Sequence, residues 1–445
     1  MQKFSFLFSF LLLVLQISAQ DFQAKADEYL NILNSQQKFN GAVLVAKEGK
    51  VLYQKGFGYR DIDKKVKHDA QSIFQIGSVT KQFTSAIIMQ LQQEKKLSVK
   101  DKISKYFPTF PRGNDITIEN LLAHTSGIYN YTTDQAFMMT KVAIPHTEEQ
   151  MIALFRDKPL DFEPGSKFNY SNSGYMLLGY IIQKVTGKPY EQVVRERILQ
   201  PLQMNHSGFD FTNLANEYKT TGYYTITDTI VNAAIVDSTV SYAAGALYST
   251  VGDLYKWEQA LYGDKIMNKE SKKIVYTPVH NKYGYGWSID TLYGKVTYSH
   301  GGGIHGFTSY LLRFPEEKLM VVLLDNSGGG KLGPMGKDLA AMAFGKPYTV
   351  PTGSKEIKLD EKILQQYVGE YELAPTFKIV VTLENGQLKA QATNQPQFDI
   401  YAEKEDLFFL KVVEAKIEFE KDETGKISRL ILHQGGQKLP GKKIK

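Results

Sequence analysis

Cysteine is absent from the 445 residues. That excludes disulfides, thiol nucleophiles, thiolate metal sites and lipid attachment through cysteine. Tryptophan is scarce, with 2 residues against 27 Tyr and 25 Phe. The formal charge of +6 is slight for this length. With no Lys/Arg stripe in the chain, nucleic acid is not expected as a partner. Beyond the first residues no apolar run reaches the roughly 18 positions that a membrane helix needs, so the mature chain is expected to be soluble. Internal repeats and low-complexity tracts are missing as well. Hydrophobic content of 42% and charged content of 22% mark a globular chain, long enough to hold itself by its core alone.

What is present begins with a leader. Lys3 precedes an apolar stretch from Phe4 to Leu15, and Ile17-Ser-Ala19 offers a small residue for cleavage. This predicts a secretory signal peptide over 1–19 and a secreted, periplasmic destination; an uncleaved anchor is the alternative. Apolar spacing then predicts a helix over 21–36. Gly41 to Ala46 and Val51 to Tyr53, either side of Lys47-Glu-Gly-Lys50, predict a β-hairpin. Helical periodicity dominates from Gln82 to Leu202, including Ile118 to His124, Gly174 to Thr186 and Tyr190 to Leu199. Tyr129 to Pro145 has no clear period and reads as a loop lining a cleft or as a surface excursion. Val251 to Leu261 reads as a helix with Thr250 placed to cap it.

Strands are expected at Gly284 to Ile289, Val296 to Ser299, Phe307 to Phe314 and Leu319 to Leu324, with a closing helix over Pro334 to Phe344. The order is α+β: an antiparallel sheet flanked by terminal helices, with a helical subdomain inserted into it. This domain is expected over 20–345. A Pro- and Gly-rich linker follows over 346–358. Residues 359–445, almost all short strands separated by turns such as Glu384-Asn-Gly-Gln387, predict a small all-β barrel.

Candidate chemistry centres on Phe74-Gln-Ile-Gly-Ser-Val-Thr-Lys-Gln-Phe83. Ser78 and Lys81 stand three apart, one helical turn from each other. An amine beside a hydroxyl makes a nucleophile with its own proton acceptor. The pattern is weak alone, since Ser35 and Lys38 share the spacing. Tyr170 and Asn172 flank Ser171 just before a helix. They read either as a polar helix entry or as a base and a hydrogen-bonding group, the phenol becoming an anion beside a lysine. Tyr298-Ser-His300-Gly-Gly-Gly303-Ile-His305 reads as a Gly-rich hairpin turn, or as a strand end whose glycines let the backbone approach a ligand. Metal binding by His300 and His305 is disfavoured, because no third ligand is suggested. His124 in Leu121-Leu-Ala-His-Thr-Ser-Gly127 reads as structural.

Taken together, Gly77-Ser-Val-Thr-Lys81, Leu121-Leu-Ala-His-Thr-Ser-Gly127, Tyr170-Ser-Asn172 and His300-Gly-Gly-Gly303 resemble the serine β-lactamase and penicillin-binding superfamily, within it the class C β-lactamase-related group. The resemblance covers about Asp21 to Phe344. It implies Ser78 as acylated nucleophile, and Lys81 and Tyr170 sharing base and proton-shuttle work. It implies Asn172 holding Lys81 and a substrate amide, and the N–H groups of Ser78 and Gly303 as oxyanion hole. No cofactor or metal is implied. The family's usual Lys-Thr-Gly triplet does not occur in this chain: His300 takes the Lys position and Gly301 the Thr position. That puts β-lactams and peptide carboxyl termini in doubt and leaves esters, amides and D-amino-acid peptides open. The C-terminal part resembles lipocalin-like barrels appended to some members, where shielding of the cleft or self-association is an analogy. A non-catalytic ligand-binding or sensor protein on the same fold, and a barrel-centred ligand carrier, are the alternatives.

Overall fold

The computed structural model describes residues 21–226, 229–348, 356–410, 415–434 and 437–445. The leader expected over 1–19 and most of the linker expected over 346–358 lie outside the described residues. The chain divides into two units, Met1–Pro351 and Thr352–Lys445.

The first unit opens with helix α1 over 21–35. The hairpin strands are β1 (Gly41–Lys47) and β2 (Lys50–Phe57). Glu48 and Gly49, both at positive φ, make the tight turn that right-twisted strands prefer. Helices α2 (Thr80–Gln93), α3 (Ile118–Leu122), α4 (Asn172–Thr186), α5 (Ser238–Gly245) and α6 (Val251–Ala260) build the inserted part, among shorter turns. The chain returns as β3 (Ser288–Leu292), β4 (Lys295–Ile304), β5 (Phe307–Phe314) and β6 (Leu319–Asp325), and ends in α7 (Leu332–Ala343).

The sheet runs β2-β1-β6-β5-β4-β3 and is antiparallel throughout. Pairing of Gly41 with Asp325 and of Lys47 with Leu319 joins the first hairpin to the last strand, so the long helical insertion leaves and re-enters one sheet. β1 and β6 are apolar at almost every position because both faces are covered. Ala42, Leu44, Val322 and Leu324 point into one core with α2. Val43, Val45, Val321 and Leu323 point into the other with α1 and α7. The period-2 alternation of a strand thus assigns neighbours to opposite layers.

Helix α2 is the centre of the first core. Lys81, Phe83, Ala86, Ile87, Ile88 and Met89 are all fully buried, so the helix is enclosed on nearly every side rather than half-exposed. Thr250 caps α6 by accepting from Asp253 N at 3.1 Å, as expected.

Two strand expectations change. The strand expected from Gly284 begins at Ser288; before it, Gly286 turns at φ +78 with its backbone pressed on the Lys81 carbonyl. His300 and the three glycines are neither at a strand end nor in a turn. They lie inside β4 and pair with Leu311, Tyr310, Ser309 and Thr308 of β5. The turn comes later, at His305 and Gly306.

In the second unit the described residues form one antiparallel sheet of nine strands. Its edge strands, Gln397–Asp399 and Tyr401–Ala402, are separated in the chain by Ile400 alone, so the sheet curls into a nearly closed barrel. Tyr367, Tyr371, Phe408, Phe419 and Leu430 fill its core. The last strand, Gln437–Lys443, was not expected: its Gly, Pro and Lys residues hide the alternation that pairing reveals.

Gly302 shows how tightly the sheet is pressed on the α2 entry. A Cβ there would lie 2.0 Å from the Ile76 carbonyl oxygen, whereas at Gly301 the nearest atom would be 3.8 Å away. Gly302→Ala is therefore expected to cost about 1–3 kcal/mol of stability, measured by denaturant titration, with Gly301→Ala close to wild type. Equal stability of the two variants would contradict this packing.

Candidate active site

Ser78 lies in a single 3₁₀ turn, Gly77–Val79, that runs directly into α2. Three ties hold this turn. Ile76 N–H donates to the Leu247 carbonyl at 2.9 Å. The Ile76 carbonyl accepts from Ser309 Oγ of β5 at 2.7 Å. Gly77, at φ +50, brings its backbone so close to Gly303 that a Cβ would meet Gly303 N at 2.8 Å. The nucleophile candidate is thus clamped against β4, main chain to main chain.

Lys81, one turn into α2, is completely buried. Its Nζ lies 3.1 Å from Ser78 Oγ, 2.8 Å from Asn172 Oδ1 and 2.8 Å from the Ala244 carbonyl oxygen. Burial pushes the amine well below its ordinary value, toward the neutral form. A neutral amine has two N–H donors and one lone pair. Two of the three neighbours are carbonyl oxygens and can only accept, so they take both donors. The lone pair is left facing the one neighbour that can donate, the Ser78 hydroxyl. The Ala244 carbonyl is free to accept because α5 ends at Gly245 and last-turn carbonyls have no intrahelical donor; Ala243 O likewise accepts from Thr84 Oγ1 at 2.6 Å.

Asn172 is the first residue of α4. Its N–H donates to Asn130 Oδ1 at 3.0 Å, and its Nδ2 donates to Thr132 Oγ1 at 3.1 Å. The aperiodic stretch from Tyr129 therefore lines the cleft, and Tyr131, Thr132 and Met138 face the site.

Tyr170 borders the same cavity, but the relation to Lys81 differs from expectation. The amine sits over the ring face, 4.8 Å from its centroid, and does not bond the phenol. The Oη is buried with no partner at good hydrogen-bond geometry, and the Ser78 hydroxyl is the group it interacts with. Burial pushes the phenol up, and the neighbouring Ser78 hydroxyl offsets this only weakly. The resting site holds a neutral phenol, not a phenolate.

His300 is buried on β4. Its Nδ1 lies 2.6 Å from the Gly301 carbonyl oxygen and must donate; its Nε2 therefore accepts from the Tyr283 hydroxyl at 2.8 Å. Burial pushes it down to about 4. A neutral ring therefore stands where the Lys-Thr-Gly pattern has a cation. Gly303 is exposed beside Ser78, with open space where a Cβ would be. Two cavities meet at Ser78 and Gly303. One, of about 590 Å³, is lined by Tyr170, His300, Tyr310 and Lys331. The other, of about 380 Å³, is lined by Asn172, Tyr131, Tyr224, Val236 and Phe307.

All six residues singled out in the sequence thus meet at one place. Missed were the Ala244 carbonyl, Ser309, Thr132 and Tyr283, whose parts depend on tertiary contacts; Lys331 carried no local signal either. Among the described residues no group of three or more His, Cys, Asp or Glu side chains is placed to hold a metal. No described helix is long and apolar enough to cross a membrane.

An antiparallel sheet backed by helices, with a serine on the turn that opens the central helix and a buried lysine on that helix, defines the penicillin-recognising class of serine hydrolases. A match of residues 20–343 to the Beta-lactamase family model places the chain in that family. Residues 354–443 match a domain of unknown function, DUF3471. The chain is 29% identical over 435 residues to a penicillin-binding protein of Bacillus subtilis (strain 168), covering 91% of this chain and 95% of that one. Among solved structures it resembles the octameric penicillin-binding protein homologue from Pyrococcus abyssi, at 27% identity and a TM-score of 0.68, covering 92% and 98% of the two chains. It also resembles a D-stereospecific amidohydrolase from Streptomyces sp., at 26% identity and a TM-score of 0.61, covering 74% and 98%. The chain is a serine hydrolase of this family.

The buried histidines make stability depend on pH. His68 and His300 are held down to about 4, and His124 well below its ordinary 6.5, in each case by burial first. Below pH 6.5 the unfolded chain takes up protons that the folded chain refuses, so stability falls as pH falls. Each histidine contributes about 1.4 kcal/mol per pH unit while it stays neutral in the fold. The urea midpoint should drop steadily from about pH 7 to about pH 5; a flat midpoint over that range would contradict the burial of neutral rings.

Proposed function

We propose that Ser78 is the acylated nucleophile of a hydrolase acting on ester, amide or D-amino-acid peptide bonds. The observation that carries this is the 3.1 Å contact of Ser78 Oγ with a buried Lys81 amine whose other contacts are carbonyl oxygens. Neutral Lys81 takes the hydroxyl proton as Oγ bonds to the substrate carbonyl carbon. The N–H groups of Ser78 and Gly303 receive the oxyanion, each worth on the order of 3 kcal/mol in the transition state. The Tyr170 phenol gives its proton to the leaving oxygen or nitrogen as that bond to carbon breaks, and the proton that Lys81 took replaces it, so both return to neutral. Water then bonds to the acyl carbon as its proton passes to Lys81; the carbon–Oγ bond breaks, Oγ takes that proton back, and the free acid leaves with Ser78 restored.

The two cavities divide the substrate. Asn172, which can bond an acyl-side amide, assigns the acyl group to the smaller, aromatic-lined cavity. The leaving group then occupies the larger one. With His300 neutral, Lys331 is the cation that lines this side, and among the described residues it has no carboxylate partner. The likeness to a D-stereospecific amidohydrolase supports a D-configured acyl group. Export rests on the leader, and the amino terminus of the secreted protein tests it. The octameric state of the Pyrococcus abyssi homologue supports self-association, which we assign to the C-terminal barrel.

Incubation with a penicillin, a nitrophenyl ester and a D-alanyl-D-alanine peptide, read by intact mass, should give an acyl adduct with at least one reagent. Ser78→Ala should give none; an adduct of the same mass on that variant would refute the assignment. Lys331→Ala should raise KM about two- to fivefold, the worth of one exposed charge contact, for substrates whose leaving group carries a carboxylate. A similar rise for a neutral nitrophenyl ester would remove Lys331 from substrate binding.

A further inference from the structure

His124 is not used in the chemistry above, yet it holds the segment that carries Tyr170. It follows α3 and is buried to 1% exposure. The peptide N–H groups of the residues on either side of Tyr170 both end on it. Asn169 N–H donates to the His124 carbonyl at 3.0 Å, and Ser171 N–H donates to His124 Nδ1 at 3.2 Å. The imidazole also packs on the phenol ring, with centroids 4.1 Å apart. Tyr283, Tyr175 and Phe168 close around it at 4.9, 5.2 and 5.9 Å.

Two features of this position work against stability. His124 sits at φ +57, a left-handed conformation that a non-glycine residue adopts at a cost. Because Nδ1 accepts, the ring proton is on Nε2, and that buried N–H has no partner. A residue chosen for packing alone would avoid the second: phenylalanine fills the same space without an orphaned donor. What phenylalanine lacks is an acceptor for Ser171 N–H. The geometry points to His124 as a positioning residue that fixes the Tyr170 phenol for proton transfer, through the two flanking peptides and the ring stack. This rests on the reading of Tyr170 as proton relay. The groups that bear on the imidazole are Lys81, His300, Tyr170, Tyr175 and Tyr283. Burial keeps it neutral and so keeps Nδ1 an acceptor.

The test compares His124→Ala, His124→Asn, Tyr170→Phe and the double variant His124→Ala/Tyr170→Phe on a nitrophenyl ester, with active sites counted by the acylation burst. Asparagine tolerates the left-handed backbone and its side-chain oxygen can accept from Ser171. His124→Ala should lower kcat about 100-fold, the scale of an ångström misplacement, with KM nearly unchanged. His124→Asn should recover most of that loss. On the Tyr170→Phe background, His124→Ala should cost almost nothing further, because two residues acting as one unit are not additive. Losses that multiply in the double variant, or a wild-type kcat in His124→Ala, would overturn the positioning role while leaving the relay intact. Wild-type activity in Tyr170→Phe would overturn the relay and this inference with it.

Discussion

A lysine amine with no access to water sets the terms for this site. Lys81 cannot be solvated, so its protons must find acceptors within the fold or leave. Asn172 at the start of α4 and the Ala244 carbonyl in the broken helix α5 supply two acceptors, and burial favours loss of the third proton. What is left of the amine points at Ser78. The convergence of α2, α4 and α5 is therefore also a proton inventory. The carbonyls of Ala243 and Ala244, in the last turn of α5, accept from Thr84 and Lys81 of α2.

A second constraint is the close approach of two backbones. The turn that carries Ser78 touches β4 at Gly77, Gly302 and Gly303, where side chains would collide or crowd the cleft. Backbone contact at this range gives fixed N–H groups beside the serine, the arrangement an oxyanion requires. It also means that β4 contributes main chain and space. The side chain at its head, His300, is tied to Tyr283 and neutral, so charge recognition has to come from elsewhere in the cavity.

Much of this could be read in the chain, and the reasons are local. Ser78 and Lys81 are one helical turn apart. β1 and β6 show continuous apolar runs because both of their faces are buried. Glu48-Gly49 is a hairpin turn by residue type. Tyr170 and Asn172 gained meaning from their order after Ser78. Other features were hidden for equally physical reasons. Glycine carries no periodic signal, so the His300 strand looked like a turn. Main-chain acceptors such as Ala244 O leave no mark on residue identity. Proximity of Tyr170 to Lys81 suggested a phenolate; in the fold the amine lies over the ring face and desolvation outweighs any such pull. His124 looked structural in sequence, and its two bonds to the Tyr170 segment exist only in the folded site.

The central claim is that Lys81 is neutral where the enzyme works. It is tested most directly by following the side-chain Cε and Nζ resonances of isotope-labelled lysine through a pH titration, with Lys81 assigned by comparison with Lys81→Met. The account predicts that Lys81 titrates well below the ordinary lysine value of 10.5 and is deprotonated at neutral pH. A Lys81 signal that stays protonated up to the ordinary value would contradict it.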